Sequence, residues 1–192
     1  MIDPLASLTP PAYKSVTPVF NNKKVNNKKV KLLPGYYKGG LKISGSKSVV
    51  DFADGLYVLD SGMDISGGTI TGKNVTFYNT GNKYISISGA ASVELSAPTS
   101  GPYQGMLFWG DAASPDGNPG HLIRGTSQTS FTGAIYFPTQ HVDWAGTNDT
   151  VGEWTMLVAN TIDITGSGSV TQNINPPPPG SLPQVTTATL VE

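Results

Sequence analysis

The chain has 192 residues, a formal net charge of −1 and a pI near 6.1, which leaves room for one domain with a real core and no electrostatic reason to seek nucleic acid or an anionic membrane. With 13% charged residues, 23 Gly and 15 Pro, surface polarity has to come from Ser, Thr, Asn and Gly, as in exported bacterial β proteins and unlike cytosolic helical enzymes. Zero cysteines exclude disulfides and thiolate metal sites, and no apolar run reaches the roughly 18 residues of a membrane span.

The start, MIDPLASLTPPAY, lacks the basic-then-apolar layout of a signal peptide, so the expectation is a removed export signal or a segment of something longer. NNKKVNNKKVKL follows, a tandem pentamer duplication from Asn21 to Val25 and from Asn26 to Val30. It reads as a Lys-rich edge or cap that blocks end-to-end stacking, with a polyanion-binding patch as the alternative. Residues 1–32 are accordingly assigned to an N-terminal extension or cap.

A repeat then dominates. LKISG, MDISG and ISISG begin at Leu41, Met63 and Ile85, a constant step of 22 residues, and a period of that size marks a repeat architecture. Each copy holds three short phrases that alternate inward and outward residues and close on Gly, Asn or Asp-Gly, the signal for a strand and tight turn. Stacking such units pairs each strand in parallel with its equivalent one period on, and aligns Ile, Val, Leu and Phe in one interior column. The expected fold is all-β: a single-stranded right-handed parallel β-helix, a β-solenoid of about six coils, over residues 33–175. At about 4.8 Å per coil the stack is on the order of 29 Å long.

Two Pro/Gly-rich stretches, residues 98–105 and 110–120, interrupt the rhythm around MLFWG and predict protruding loops, which often form the binding face of a repeat protein. In residues 176–192, NINPPPPGSLPQ reads as an extended connector that cannot donate to a ladder, and TTATLVE as a last strand returned to the body or given to another chain.

Motifs for chemistry are weak. GGTITGK, from Gly67 to Lys73, has phosphate-loop spacing, but Asn74 stands where a Ser or Thr belongs and no helix follows. Ser44 and Lys47 have the spacing of a nucleophile pair but span a strand-to-turn junction. His121 and His141 lack HxH or HExxH spacing and read as structural. Clustered carboxylates would serve a β-helix polysaccharide lyase or hydrolase; the candidates are Asp51, Asp54, Asp60 and Asp64, yet one period after Asp60 and Asp64 stand Asn82 and Ser86, so no acidic ladder forms. In the second loop Asp111, Asp116 and Asn118 are weak cation ligands that lack a calcium-loop spacing. Alternation sends Phe108 and Trp109 to opposite faces, one to the core and the other exposed or covered. Tyr103, Trp109, Asp111, Asp116 and Asn118 are therefore the candidate binding residues. No catalytic residue and no cofactor are expected.

DPLASL, LPGYYKGGLKISG, SAPTSGPYQGMLFW, FTGAIYFP, ANTIDITGSGSV and the closing ATLVE together resemble, in order, the C-terminal region of TadG-like proteins of the bacterial Tad (tight adherence, Flp pilus) system. Lys38 departs from the YCGG usual in many relatives. The resemblance implies a non-enzymatic module of the cell envelope, periplasmic or extracellular, tethered by a membrane helix outside these residues. Its implied work is pilus assembly, anchoring or adhesion, and its implied partners are other pilus-assembly or envelope proteins and surface polysaccharide. The alternatives are a β-helix carbohydrate-active enzyme and an adhesin that binds a surface directly.

Overall fold

In the computed structural model the described residues are 3, 5–116, 120–125, 129–146, 154–165 and 182–183. They form one 14-stranded parallel sheet wound as a right-handed β-solenoid of about six turns. In chain order the strands are β1 (Val19–Asn26), β2 (Lys29–Leu32), β3 (Gly35–Ser44), β4 (Val49–Phe52), β5 (Gly55–Leu59), β6 (Met63–Ile65), β7 (Thr69–Gly72), β8 (Val75–Asn79), β9 (Ile85–Ile87), β10 (Ser92–Ser96), β11 (Met106–Gly110), β12 (His121–Gly125), β13 (Thr129–Gly146) and β14 (Thr155–Thr165).

Registers sort these strands onto three faces. The first face stacks Tyr36, Val58, Tyr78, Trp109, Tyr136 and Val158 in one line. The second aligns Leu41, Met63 and Ile85, the three phrases of the repeat. The third aligns Val30, Val50 and Ile70 at steps of 20, then Val93 and Thr129. The last step widens because both inserted loops fall between Val93 and Thr129; the chain lengthens between coils without shifting the register of the inward positions.

The solenoid starts earlier than residue 33. β1 pairs in parallel with β3, and β2 with β4, so the Lys-rich duplication is the first coil rather than a separate cap. The duplication has a geometric use: the second Asn of each pentamer has a left-handed backbone, with φ 46° at Asn22 and 49° at Asn27, a conformation Asn tolerates at turns. One five-residue phrase thus turns two successive corners, and Val25 points inward, 3% exposed.

Between the first and second faces the corner is set by glycine. Gly40 (φ +80°) lies under the next coil, where a Cβ would stand 2.6 Å from the Ser61 carbonyl oxygen, and Gly62 (φ +72°) meets the Tyr84 carbonyl in the same way. A side chain there would force the coils apart and impose a strained backbone.

Inside, aromatic rings run along the axis. Tyr37, Tyr57, Phe77 and Phe108 follow one another at centroid separations of 5.7, 5.2 and 5.4 Å, and Phe52 meets both Tyr57 and Phe77 edge-on. Each buried tyrosine has to place its hydroxyl. Tyr37 donates to the Leu33 carbonyl at 2.7 Å, and Tyr57 lies 2.7 Å from the Ala53 carbonyl and 2.9 Å from that of Leu32.

The residues before β1 leave the coil and run along the outside of the first face. Leu5 packs with Val58, Tyr78, Met106, Trp109, Ala134 and Tyr136, and Leu8, Tyr13 and Val16 join the same cluster. Tyr13 lies 5.7 Å from Tyr78 and 6.5 Å from Tyr36, while Asp3 accepts the Tyr136 hydroxyl at 2.7 Å. The segment therefore descends from the sixth coil to the first before it enters β1. Asp3 to Val16 is fourteen residues, and at up to about 3.3 Å each they are ample for a stack of roughly 29 Å even with the turn at residues 5–7 and the 3-10 turn Tyr13–Ser15.

At the other end of the chain, Leu182 accepts a hydrogen bond from Gln104 Nε2 at 3.3 Å and Pro183 is buried, so the connector touches the body at the first inserted loop. The expected last strand, residues 186–192, lies outside the described residues.

Candidate functional site

The three faces differ in what their outward side chains meet. On the third, the outward line Lys31, Asp51, Thr71, Glu94 and Ser130 is polar and self-paired: Lys31 and Asp51 are 3.5 Å apart and the Thr71 hydroxyl faces the same carboxylate at 3.4 Å. On the first, the outward line is apolar and lies under the N-terminal segment. The second face carries an open groove.

That groove has a volume of about 380 Å³ and runs across coils one to five, from Asn22 to Leu122. Its basic side chains are Lys23, Lys24, Lys42 and Lys83, with Tyr84 in the lining. Registers explain the placement. Lys24 pairs with Lys42, Lys42 with Asp64 and Asp64 with Ser86, so one outward position is read out coil after coil. Lys42 donates to Asp64 at 2.8 Å; this hydrogen bond, and then the carboxylate charge, hold its ammonium above the ordinary lysine range. Lys24 and Lys83 are exposed. Hydroxyls of Ser61 and Ser86 and the Asn22 amide complete the lining.

The residues singled out from sequence lie elsewhere. Trp109 is not presented to solvent: it is 3% exposed beneath Leu5 and packs edge-on against Tyr78. Tyr103 is half-buried at the margin of the same cluster, and burial raises its hydroxyl pKa. Asp111 is spent inside its loop, accepting the Ala113 N–H at 2.9 Å and facing the Thr80 hydroxyl at 3.4 Å. Asp116 accepts the backbone N–H of His141 at 2.8 Å and the Asn160 amide at 3.4 Å. Asn118 lies outside the described residues. The oxygens of Asp111 and Asp116 fasten the second loop to neighbouring coils.

The four carboxylates of the first coils are scattered in the same way. Asp51 is on the third face beside Lys31, and Asp54 accepts from Asn74 at 3.0 Å. Asp60 takes both the Tyr36 hydroxyl, at 3.0 Å, and the Gly39 N–H, at 2.6 Å; Asp64 is on the second face beside Lys42.

The two histidines part company. His121 is structural: Nδ1 accepts the Ile85 N–H at 3.1 Å, Nε2 faces Gln140 Oε1 at 3.2 Å, and the ring stacks on Phe137 at 3.7 Å. Burial lowers its pKa to about 4 against the smaller opposing effects of Gln140 and Asp116. His141 instead sits on the outside with Asp143 and Asp163, their ligating atoms within 4.8 Å of one another.

Compared with protein-family models, curated proteins and solved structures, the chain matches none. The fold that defines it, a parallel β-solenoid, is carried by the geometry alone. No helix among the described residues is long and apolar enough to cross a membrane.

Proposed function

We propose that this chain is a non-enzymatic binding module in which a rigid solenoid presents the groove of its second face to an extended anionic glycan. The observation that carries this reading is the gathering of Lys23, Lys24, Lys42 and Lys83 around one open groove on the second face. A groove rimmed by lysines suits an anionic polymer, and the mixed hydroxyl, amide and tyrosine lining suits sugar hydroxyls and ring faces. The net charge of −1 argues against a nucleic acid, which would call for a broad basic surface. The scattering of Asp51, Asp54, Asp60 and Asp64, each with its own partner, supports binding over hydrolysis or elimination.

The likeness of several phrases to TadG-like proteins adds a setting to this reading, a bacterial envelope and a pilus system. Among assembly, anchoring and adhesion, the groove favours adhesion by direct contact with surface polysaccharide. Other envelope proteins remain partners for the rest of the surface.

The test is calorimetric titration of the full chain with polygalacturonate oligosaccharides, with single-stranded DNA and a neutral glycan as controls. Binding that weakens with salt and falls about tenfold in a Lys24→Ala/Lys83→Ala double variant is expected. Stronger binding of DNA, no binding of the acidic glycan, or unchanged affinity in the double variant would refute the glycan reading. Release of unsaturated or reducing sugars would refute the non-enzymatic one.

A further inference from the structure

We infer that His141, Asp143 and Asp163 form a binding site for a divalent first-row transition metal of the zinc or manganese class. The site follows from register. Within the parallel pair of β13 and β14, His141 stands opposite Thr161 and Asp143 opposite Asp163. Positions 141 and 143 share the outer side of the second face because Val142 between them is buried. Two carboxylates are thereby held side by side on neighbouring strands, an arrangement that repels unless a cation lies between them.

The imidazole is aimed at that gap. His141 Nδ1 lies 2.7 Å from the Thr161 hydroxyl, which leaves Nε2 facing the carboxylates, 3.7 Å from Asp143 Oδ1 and 3.8 Å from Asp163 Oδ2. A hydroxyl that orients the far nitrogen is the outer-shell arrangement of metal-bound histidines. The backbone beneath is held as well, since the His141 N–H donates to Asp116. Metal bonds of about 2.1 Å place neighbouring donor atoms roughly 3 Å apart, so small side-chain rotations from the present separations close the site. One imidazole and two carboxylates disfavour calcium and magnesium, which take oxygen sets, and suit zinc, manganese or cobalt. All three donors lie on the outside of one face, so the remaining coordination positions open to solvent and can take an oxygen ligand.

The competing account of the same geometry is a protonated His141 that bridges the two carboxylates without metal. Zinc titration of the full chain by calorimetry, with cobalt absorption as a direct readout of the ligand set, separates the two. Expected is one zinc per chain and a cobalt spectrum with histidine and carboxylate ligation. Zinc affinity should be lost in His141→Ala and fall about tenfold or more in Asp143→Asn and in Asp163→Asn. Melting curves recorded in chelator establish that each variant is folded, and Thr161→Val, which removes only the orienting hydroxyl, supplies a milder second probe with weaker zinc binding expected. No zinc uptake by the intact protein, or uptake unchanged in folded His141→Ala and Asp163→Asn variants, overturns the site. A loss of stability in those variants without zinc uptake by the parent assigns the cluster to the bridging imidazolium instead.

Discussion

The first and second faces of the solenoid share strand geometry, parallel pairing and an interior of stacked apolar side chains, yet their outsides are opposites. On the first, Val58, Tyr78, Trp109 and Tyr136 are at most 5% exposed because the N-terminal segment covers them. On the second, lysines, serines and Tyr84 line an open groove. Inward positions build the rod in both cases, and the outward residue at each register position alone decides whether a face becomes core or contact surface. An aromatic residue on a solenoid strand is therefore no sign of a binding site until the residue one coil away and the path of the chain ends are known.

The sharpest way to break this contrast is to remove residues 1–16. The uncovered ladder should cost the fold about 5 kcal/mol, from the loss of Leu5, Leu8, Tyr13 and Val16 at roughly 1–2 kcal/mol each, and should make the protein self-associate; denaturant melts and light scattering read both. Trp109→Ala should cost about 3–5 kcal/mol as a buried aromatic truncation, whereas Tyr84→Ala should weaken glycan binding with a far smaller change in melting. Equal stability losses at the two positions would erase the distinction between the faces.

Acid tests the shared interior. Histidine in the unfolded chain titrates near 6.5, while buried His121 stays neutral down to about pH 4. The unfolded state takes up the proton first, so stability is complete above about pH 6.5 and falls as pH drops toward 4, by on the order of 3 kcal/mol. His121→Gln should flatten that slope in a series of melts between those limits. The smallest effect belongs to the exposed pair on the open face: Lys42→Ala should leave the melting temperature unchanged within error, because an exposed ion pair contributes little, and lower glycan affinity a few fold in the same titration.

The repeat was legible because interior positions recur in one short phrase, and the coil count followed from it. The outer ladder was not. Its members sit at 36, 58, 78, 109 and 136, and the two inserted loops break the spacing just where Trp109 joins, so no window of sequence shows them as neighbours. The lysines of the duplication read as edge protection in the sequence; the register of Lys24 with Lys42 is what brings the first pentamer to the groove, while Lys29 belongs to the third face. The cluster of His141, Asp143 and Asp163 leaves a trace, since HVD at 141 and TID at 161 are aligned phrases, but its ligands come from two coils and meet only through the register of β13 with β14. The first coil reads as a cap in the sequence because its Lys and Asn residues outnumber the inward Val25, Val30 and Leu32.

The bond between Asp3 and Tyr136 joins residues 133 positions apart, and this bears on how the protein is made. A solenoid ordinarily grows coil by coil, each new turn needing only its neighbour. Here the residues before β1 are made ahead of every coil they cover, so Leu5 cannot complete its packing against Ala134 and Tyr136 until the sixth coil exists. Once they dock, fraying at either end of the stack has to detach them as well, which couples the two ends of an otherwise one-dimensional assembly into a single cooperative unit.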